Sequence, residues 1–559
     1  MNEKRQMRSG RNSRRTFLKT VGVALAAAGS NGAIATAREP GEGRESSDGW
    51  TGPRSGPGRT GATDDNGPTP YATEGWKMDL EGSTYNVEPL IADGVLYLAV
   101  TTDNDPTKNK GYVAAYDPET GDRLWKQTDL PGPKAPSIGD GRLYFAARVP
   151  GLLDNGEGGF YALDGDTGER AWSRTDYPRW ASPVVTEDRV YTANDEGAYA
   201  LDPATGDTVW KTDGVGGLAN GVDGALSYAD GTVFFSDGTA LRAADGSKKW
   251  RANDDEPTFG DHAAADGRVY YARTEYIVGN DNDLAVEARS AVDGTVVWTY
   301  DPDGSNRWDG RLSIADGRVF LLETNGCSSV VRALDAGTGE EMWETEAEGT
   351  LRSDPVVANG TIYVGGWYAP DANSPEGRAL VHALDAETGE RRWAYLLDSS
   401  GLETSPENPP AAGTPVAGDG KLYVTTHPAN STLDHRYLYY SNFFVLDSTD
   451  ERPSDDHRLP RDEASDDCDE CPRPKARIDA TPPLDSCDLE SGDVVRLDAS
   501  GSAGCELGYE WDTDGDGRYD QSGSWVRVRV PECGSVTVTL RITDSNDEVE
   551  KATETVSAN

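Results

Sequence analysis

Asp512-Thr513-Asp514-Gly515-Asp516-Gly517-Arg518-Tyr519-Asp520 places four carboxylates at offsets 0, 2, 4 and 8, with a glycine directly behind the third. Hard oxygens at that spacing can converge on one Ca²⁺, and glycine permits the sharp turn that brings them together. Asp512, Asp514, Asp516 and Asp520 are therefore candidate metal ligands. The bidentate Glu that would complete such a loop at position twelve is replaced by Gly523. The competing account is an acidic hairpin turn.

A second set of residues could do recognition rather than catalysis. Trp180, Tyr276, Trp367, Tyr368, Tyr437, Tyr439 and Tyr440 lie between strand-like segments or at their ends, several with an Arg or Pro beside them. Aromatic side chains in such loops suit the binding of protein or glycan, and packing over strand ends is the plain alternative. His427 and His435 flank the longest late loop and could meet as metal ligands, but two separate loop histidines explain them as well. Neither Gly-x-Ser-x-Gly nor His-Glu-x-x-His occurs, so no catalytic residue is assigned.

The elements that must position these residues are repeats. Val381-His382-Ala383-Leu384-Asp385 leads through Thr388-Gly389 to Trp393. Related runs end at Trp125, Trp172, Trp210, Trp250, Trp298 and Trp343, and Trp76 opens the series. Successive tryptophans are 38 to 50 residues apart, the length of a four-stranded propeller blade. Each unit begins with an apolar run and an Asp-Gly or Asn-Gly turn, as in Leu90-Ile91-Ala92-Asp93-Gly94. The last unit reaches Phe443-Phe444-Val445-Leu446-Asp447 and stops without a Trp. A strand around Trp76 can supply it, which predicts eight blades closed by the N-terminal strand. Repetition itself assigns the Trp, Asp and Gly of the motif to the scaffold.

Composition narrows the function. The chain has 97 acidic against 53 basic side chains and a formal net charge of −44. Attraction to nucleic acid is not expected. So much Asp with so little Lys looks like the surface of a protein from a high-salt environment, where repulsion is screened. Residues 1–37 combine a basic start, a short apolar run from Val21 to Ala28 and small residues at Ala33-Ile34-Ala35. Ser13-Arg14-Arg15-Thr16-Phe17-Leu18-Lys19 resembles the twin-arginine export signal, which implies an extracellular or cell-surface protein exported in the folded state. No segment is long and apolar enough to predict a membrane span. Residues 38–70, with eight Gly and five Pro, read as a disordered leader.

The Ala-Leu-Asp-x-x-Thr-Gly-x-x-x-Trp pattern resembles the pyrroloquinoline-quinone-type repeat over residues 71–450. That repeat occurs in quinoprotein alcohol dehydrogenases and in outer-membrane assembly factor B-like propellers. The dehydrogenase branch implies a quinone in the central channel, a calcium ion, a catalytic Asp beside a Glu and an Asn, and usually a vicinal cysteine pair. Here the repeat region has one cysteine, Cys327, and Cys-x-x-Cys-His is absent. Pyrroloquinoline quinone is therefore not expected.

Residues 451–475 read as an acidic linker holding Cys468 and Cys471, for which a structural disulfide fits an exported chain better than a zinc or redox pair. Short alternating strands over residues 476–559 predict a β-sandwich. Asp498-Ala499-Ser500, Tyr509-x-Trp511-Asp512 and Val538-Thr539-Leu540-x-Ile542-Thr543-Asp544 resemble the polycystic-kidney-disease-type (PKD) immunoglobulin-like domain. Pairing among Cys487, Cys505, Cys533 and the remaining cysteines stays open. The expectation is an all-β, monomeric, noncatalytic scaffold that binds protein or glycan at the cell surface, with calcium as its one candidate cofactor. A quinoprotein-like dehydrogenase and an envelope assembly factor are the alternatives.

Overall fold

A computed structural model describes residues 49–559, apart from 85–86, 104–109, 149–157, 216–225, 253–258, 276–282, 301–311, 326–327, 370–376, 400, 403, 405–407, 430–440, 460–474, 482–483, 485–490, 493, 500–501, 503–506, 516, 520, 532–534, 544–548 and 558–559. The described residues all belong to the second of two units of the chain, Ser47–Asn559. The six cysteines lie outside them.

The repeats fold into strands as their alternation predicts. Eight separate sheets of four to six strands account for the repeat region, and two further sheets lie C-terminal to it. Helix among the described residues is limited to two short 3-10 turns, Pro53–Ser55 and Asp455–His457. The second sheet is representative: Ser137–Gly139, Arg142–Ala146, Phe160–Asp164 and Arg170–Arg174 pair antiparallel in chain order. Asp93, Asp140, Asp230, Asp266, Asp316 and Asp419 open the first hairpin of their sheets with φ between 47° and 53°, and the glycine after each lies between 68° and 76°. Two successive positive φ values define the type I′ turn, whose twist matches the flanking strands.

The eighth sheet takes its outer strand from the other end of the repeat region. Tyr71–Asp79 pairs antiparallel with Asn442–Thr449, with Tyr71 opposite Thr449 and Asp79 opposite Asn442. The expected donation of the Trp76 strand is thus present.

The repeated tryptophans join one sheet to the next. Trp76 of the eighth sheet donates Nε1–H to the carbonyl of Pro118 in the first, at 3.0 Å. Trp125, Trp172, Trp210, Trp250 and Trp298 donate in the same way to Gly165, Pro203, Ala243, Ala291 and Ala336 of their following sheets. The indole faces also lie on the turn glycines: a Cβ built on Gly206 would come within 2.6 Å of the Trp172 ring. Two junctions differ: the Trp343 ring of the sixth sheet lies on Gly389, but its Nε1 meets no acceptor among the described residues, and the seventh sheet reaches elsewhere. Trp393 donates to Pro68, a residue N-terminal to the repeats, because the eighth sheet lacks the Thr-Gly turn. The motif aspartates hold the turns: Asp385 Oδ1 accepts from the amides of Glu387 and Thr388, both at 2.9 Å. Gly206, at φ 76°, has neither the conformation nor the room for a side chain. Gly206→Ala should cost about 2 kcal/mol, read as a lowered urea midpoint at unchanged slope.

The first strands of successive sheets lie side by side and form an inner wall. Residues 49–66 run along that wall. The expectation of a disordered leader through residue 70 does not hold for this stretch. Gly49 and Trp50 pair with Ala92 and Ile91 of the first sheet. Thr51, Pro57, Gly58, Thr60, Gly61 and Asn66 then accept from the amides of Ile138, Tyr228, Ala264, Ile314, Val357 and Gly420, which lie in the second and the fourth to eighth sheets in order. Ala62–Thr63 adds a parallel strand to Val356–Ala358. The abundance of glycine reflects close approach rather than freedom: a Cβ on Gly58 would lie 2.7 Å from the Ala264 carbonyl oxygen. This inner belt satisfies edge amides that no neighbouring strand reaches.

The two C-terminal sheets share one apolar core. Asp479–Thr481, Val494–Asp498 and Trp525–Arg529 form one sheet, and Gln521–Ser522, Gly508–Asp512, Ser535–Thr543 and Val549–Ser557 the other. Val495, Leu497 and Val526 from the first pack with Trp511, Leu540 and Ile542 from the second. The start of the connecting segment is held against the seventh sheet, where the ring of His457 stacks on Tyr395 at 4.8 Å.

Candidate functional site

The expected rim aromatics separate into different environments. Trp180 is fully buried, so its placement among binding residues is corrected. It packs edge-on against Phe160 of the second sheet and Tyr199 of the third, donates to the Tyr177 carbonyl, and lies beneath the Arg174 guanidinium. An aromatic wedged between two sheets is a core residue wherever it falls in the chain. Trp367 and Tyr368 end the strand Thr361–Tyr368 half-buried, and the Arg352 guanidinium sits 5.2 Å from the Trp367 ring. They retain exposed aromatic surface beside a cation, a combination able to bind a planar or apolar group. Tyr276, Tyr437, Tyr439 and Tyr440 lie outside the described residues, as does His435. His427 is half-buried, and desolvation holds its pKa down at about 4.

A charged cluster that the sequence reading missed lies on the inner wall. Arg54, in the short turn Pro53–Ser55, is 3% exposed and adopts the left-handed conformation, φ 59°. Its Nη2 is 2.9 Å from the Leu312 carbonyl, 2.7 Å from Ser313 Oγ and 3.1 Å from the Pro355 carbonyl. Its Nη1 faces Asp354 Oδ2 at 3.6 Å, and Asp354 is itself buried. Glu88 accepts from the Trp50 indole and from the Arg54 amide, both at 2.8 Å. Desolvation raises the Glu88 pKa, and the Arg54 charge partly opposes that rise. The guanidinium thus ties the belt to the sixth and seventh sheets, while the Arg54 amide and the Trp50 indole tie it to Glu88 at the edge of the first. The available signal was Glu88-Pro89 and Asp354-Pro355, two acidic residues at the same repeat position, whose charge called for a cation.

In the C-terminal sheets, Asp512 is 4% exposed. Its two carboxylate oxygens accept from the amides of Gly515 at 2.7 Å and Gly517 at 2.9 Å. Asp514 is exposed, and Asp516 and Asp520 lie outside the described residues. Asp512 therefore braces the turn, and Asp512→Ala should cost about 2 kcal/mol by leaving those amides unmet, measured as a lowered melting transition of the C-terminal sheets. Among the described residues no group of three or more His, Cys, Asp or Glu side chains is set to hold a metal ion. No helix among them is long and apolar enough to cross a membrane.

These features, antiparallel sheets repeated around an inner wall and stapled by one tryptophan each, define a propeller-like repeat protein. The family model described as outer membrane protein assembly factor BamB matches residues 70–211, 109–253, 194–327 and 327–435, and the chain belongs to that family. Among curated relatives, a polyvinylalcohol dehydrogenase of Sphingopyxis sp. (strain 113P3) is 31% identical over 136 residues, 23% of this chain and 17% of its own. A quinohemoprotein alcohol dehydrogenase of Comamonas testosteroni is 30% identical over 147 residues, covering 23% and 18%. The serine/threonine-protein kinase AfsK of Streptomyces griseus is 28% identical over 163 residues, covering 28% and 18%. The chain thus spans less than a fifth of the length of each of these relatives. Of solved structures, BamB from Moraxella catarrhalis superposes with a TM-score of 0.45 at 18% identity, covering 68% of this chain and 98% of that one. A europium-containing methanol dehydrogenase gives 0.47 at 13% identity, covering 72% and 98%.

Proposed function

We propose that this protein is an exported, noncatalytic scaffold that binds protein or glycan at the cell surface. In this reading the eight sheets are the blades of a propeller closed by Tyr71–Asp79, and the C-terminal sheets are a PKD-like spacer. The observation that carries the reading is the half-buried Trp367–Tyr368 pair at a strand end, with the Arg352 guanidinium over the Trp367 ring. Membership of a family named for an assembly factor supports a protein-binding role. The twin-arginine-like start and the excess of acid support export into a salty exterior. Calcium, if the Asp512 turn takes it, serves the spacer.

Co-sedimentation with isolated cell envelopes tests the role. The full chain should bind, and Trp367→Ala should weaken binding about tenfold, the effect of losing one aromatic anchor. Equal binding by the variant would remove Trp367 from the site.

The names of the dehydrogenase relatives favour a second reading, a quinoprotein-like enzyme with pyrroloquinoline quinone and calcium on the axis. Among the described inner-wall residues, Asp354 faces the Arg54 guanidinium and Glu88 accepts from the Arg54 amide and the Trp50 indole, so the chain itself supplies their partners. Such an arrangement does not fit a quinone–calcium site. Quinone absorbance after reconstitution, together with dye-linked alcohol oxidation, would replace the scaffold reading with the enzyme.

A further inference from the structure

We propose that residues 49–66 are a self-ligand: a peptide with a tight turn at Pro53–Ser55, bound in cis in a groove along the inner strands. The groove would accept another polypeptide that carries an aromatic residue and, four positions later, an arginine in such a turn. The inference does not depend on the rim site. Each of the eight sheets already has four strands without the belt, so the belt is an addition to their hydrogen bonding rather than part of the repeat. It is held as extended peptides are held elsewhere, by main-chain bonds to strand edges that are indifferent to side chains. Selectivity comes from two anchors. Trp50 is fully buried and its indole is read by Glu88; Arg54 is read by two carbonyls, Ser313 and Asp354. Between and beyond the anchors stand Gly52, Gly58 and Gly61, which let the backbone lie close to Ser137, Ala264 and Ser313 of the wall. A groove that reads two side chains and otherwise backbone has the chemistry of a peptide site.

A ligand tethered in cis competes at an effective concentration of about millimolar. The wild-type chain should therefore exclude a free peptide that a weakened belt would admit. The test uses a fluorescent synthetic peptide spanning residues 47–68, titrated by anisotropy against the full chain. The Arg54→Ala chain should bind this peptide at least about tenfold more tightly than the wild-type chain, because its own belt competes less well. A peptide with alanine in place of its arginine should lose that binding. Equal binding by the two chains, or by the two peptides, would overturn the proposal. Hydrogen exchange on the unaltered protein gives a second measurement if the variant fails to fold. The Gly61 amide, which donates to the Arg54 carbonyl, should exchange through local release of the belt, at least about a hundredfold faster than Val233. Exchange of Gly61 only with global unfolding would show a permanent part of the core and would also overturn the proposal.

Discussion

Arg54→Ala should lower the stability of the repeat region by about 3–5 kcal/mol, measured as a reduced urea midpoint. The substitution removes the guanidinium that faces Asp354 and takes a buried donor from the Leu312 and Pro355 carbonyls and from Ser313 Oγ. Losing one partner of a buried charged cluster costs more than the cluster contributed, because the remaining groups stay desolvated. Arg54→Lys should fall between: it keeps the charge but has no planar fork to reach several acceptors. The loss should also depend on pH. Glu88 has a raised folded pKa, so its burial penalty is absent below the ordinary carboxylate range and grows as pH rises toward the folded value. Without Arg54 that folded value rises further. The difference between variant and wild type should therefore shrink as pH is lowered toward about 4.5. A difference constant from pH 7 to 4.5 would contradict this account of Glu88.

The second large effect is acid destabilisation by two desolvated histidines, His382 fully buried and His427 half-buried. His382 is fully buried with Nε2 at 2.9 Å from the Glu348 carbonyl, and its pKa is held down at about 4, chiefly by desolvation. His427 is held at about 4 by the same cause. Unfolded, both should titrate near 6.5. Below that value the unfolded chain takes up protons that the folded chain refuses, so stability falls as pH drops from about 6.5 to about 4. It levels off below. His382 should account for about 3 kcal/mol at the bottom of that window, and the half-buried His427 for less. Replacing both, as His382→Gln with His427→Gln, should flatten the curve of stability against pH between those limits at constant salt. An unchanged slope would place the acid sensitivity elsewhere.

Both effects arise from residues whose surroundings the linear sequence only partly shows. The sheets were legible because their signals are local: an Asp-Gly pair makes a hairpin, and Thr388-Gly389 followed by Trp393 makes a turn with its staple. The donation of Tyr71–Asp79 to the last sheet was legible by bookkeeping, since one unit lacked a Trp and one Trp lacked a unit. The belt was not. Glycine and proline in residues 49–66 have the same composition whether the segment is solvated or pressed against backbone. The amides that hold it belong to strands gathered from six separate sheets. Trp180 failed for a related reason: its loop position suggested exposure, but Phe160 and Tyr199 enclose it from different sheets. Trp367 and Tyr368 were legible as aromatics near a strand end, where they retain partial exposure.

The pairing of Tyr71–Asp79 with Asn442–Thr449 has a consequence for biogenesis. A chain emerging from the ribosome presents the first of these strands hundreds of residues before its partner exists. Meanwhile each newly made sheet can form from local hairpins, and the tryptophan staples can add them one after another. The terminal pairing closes a very long loop, so its entropy cost falls on the final step of folding. Until translation passes residue 449, the nascent protein carries two unsatisfied strand edges, which are templates for pairing with other chains. Truncated products that stop before Asn442 should therefore be prone to aggregation. Only chains synthesised past residue 449 can complete the pairing, so the last sheet serves as a check on full-length synthesis.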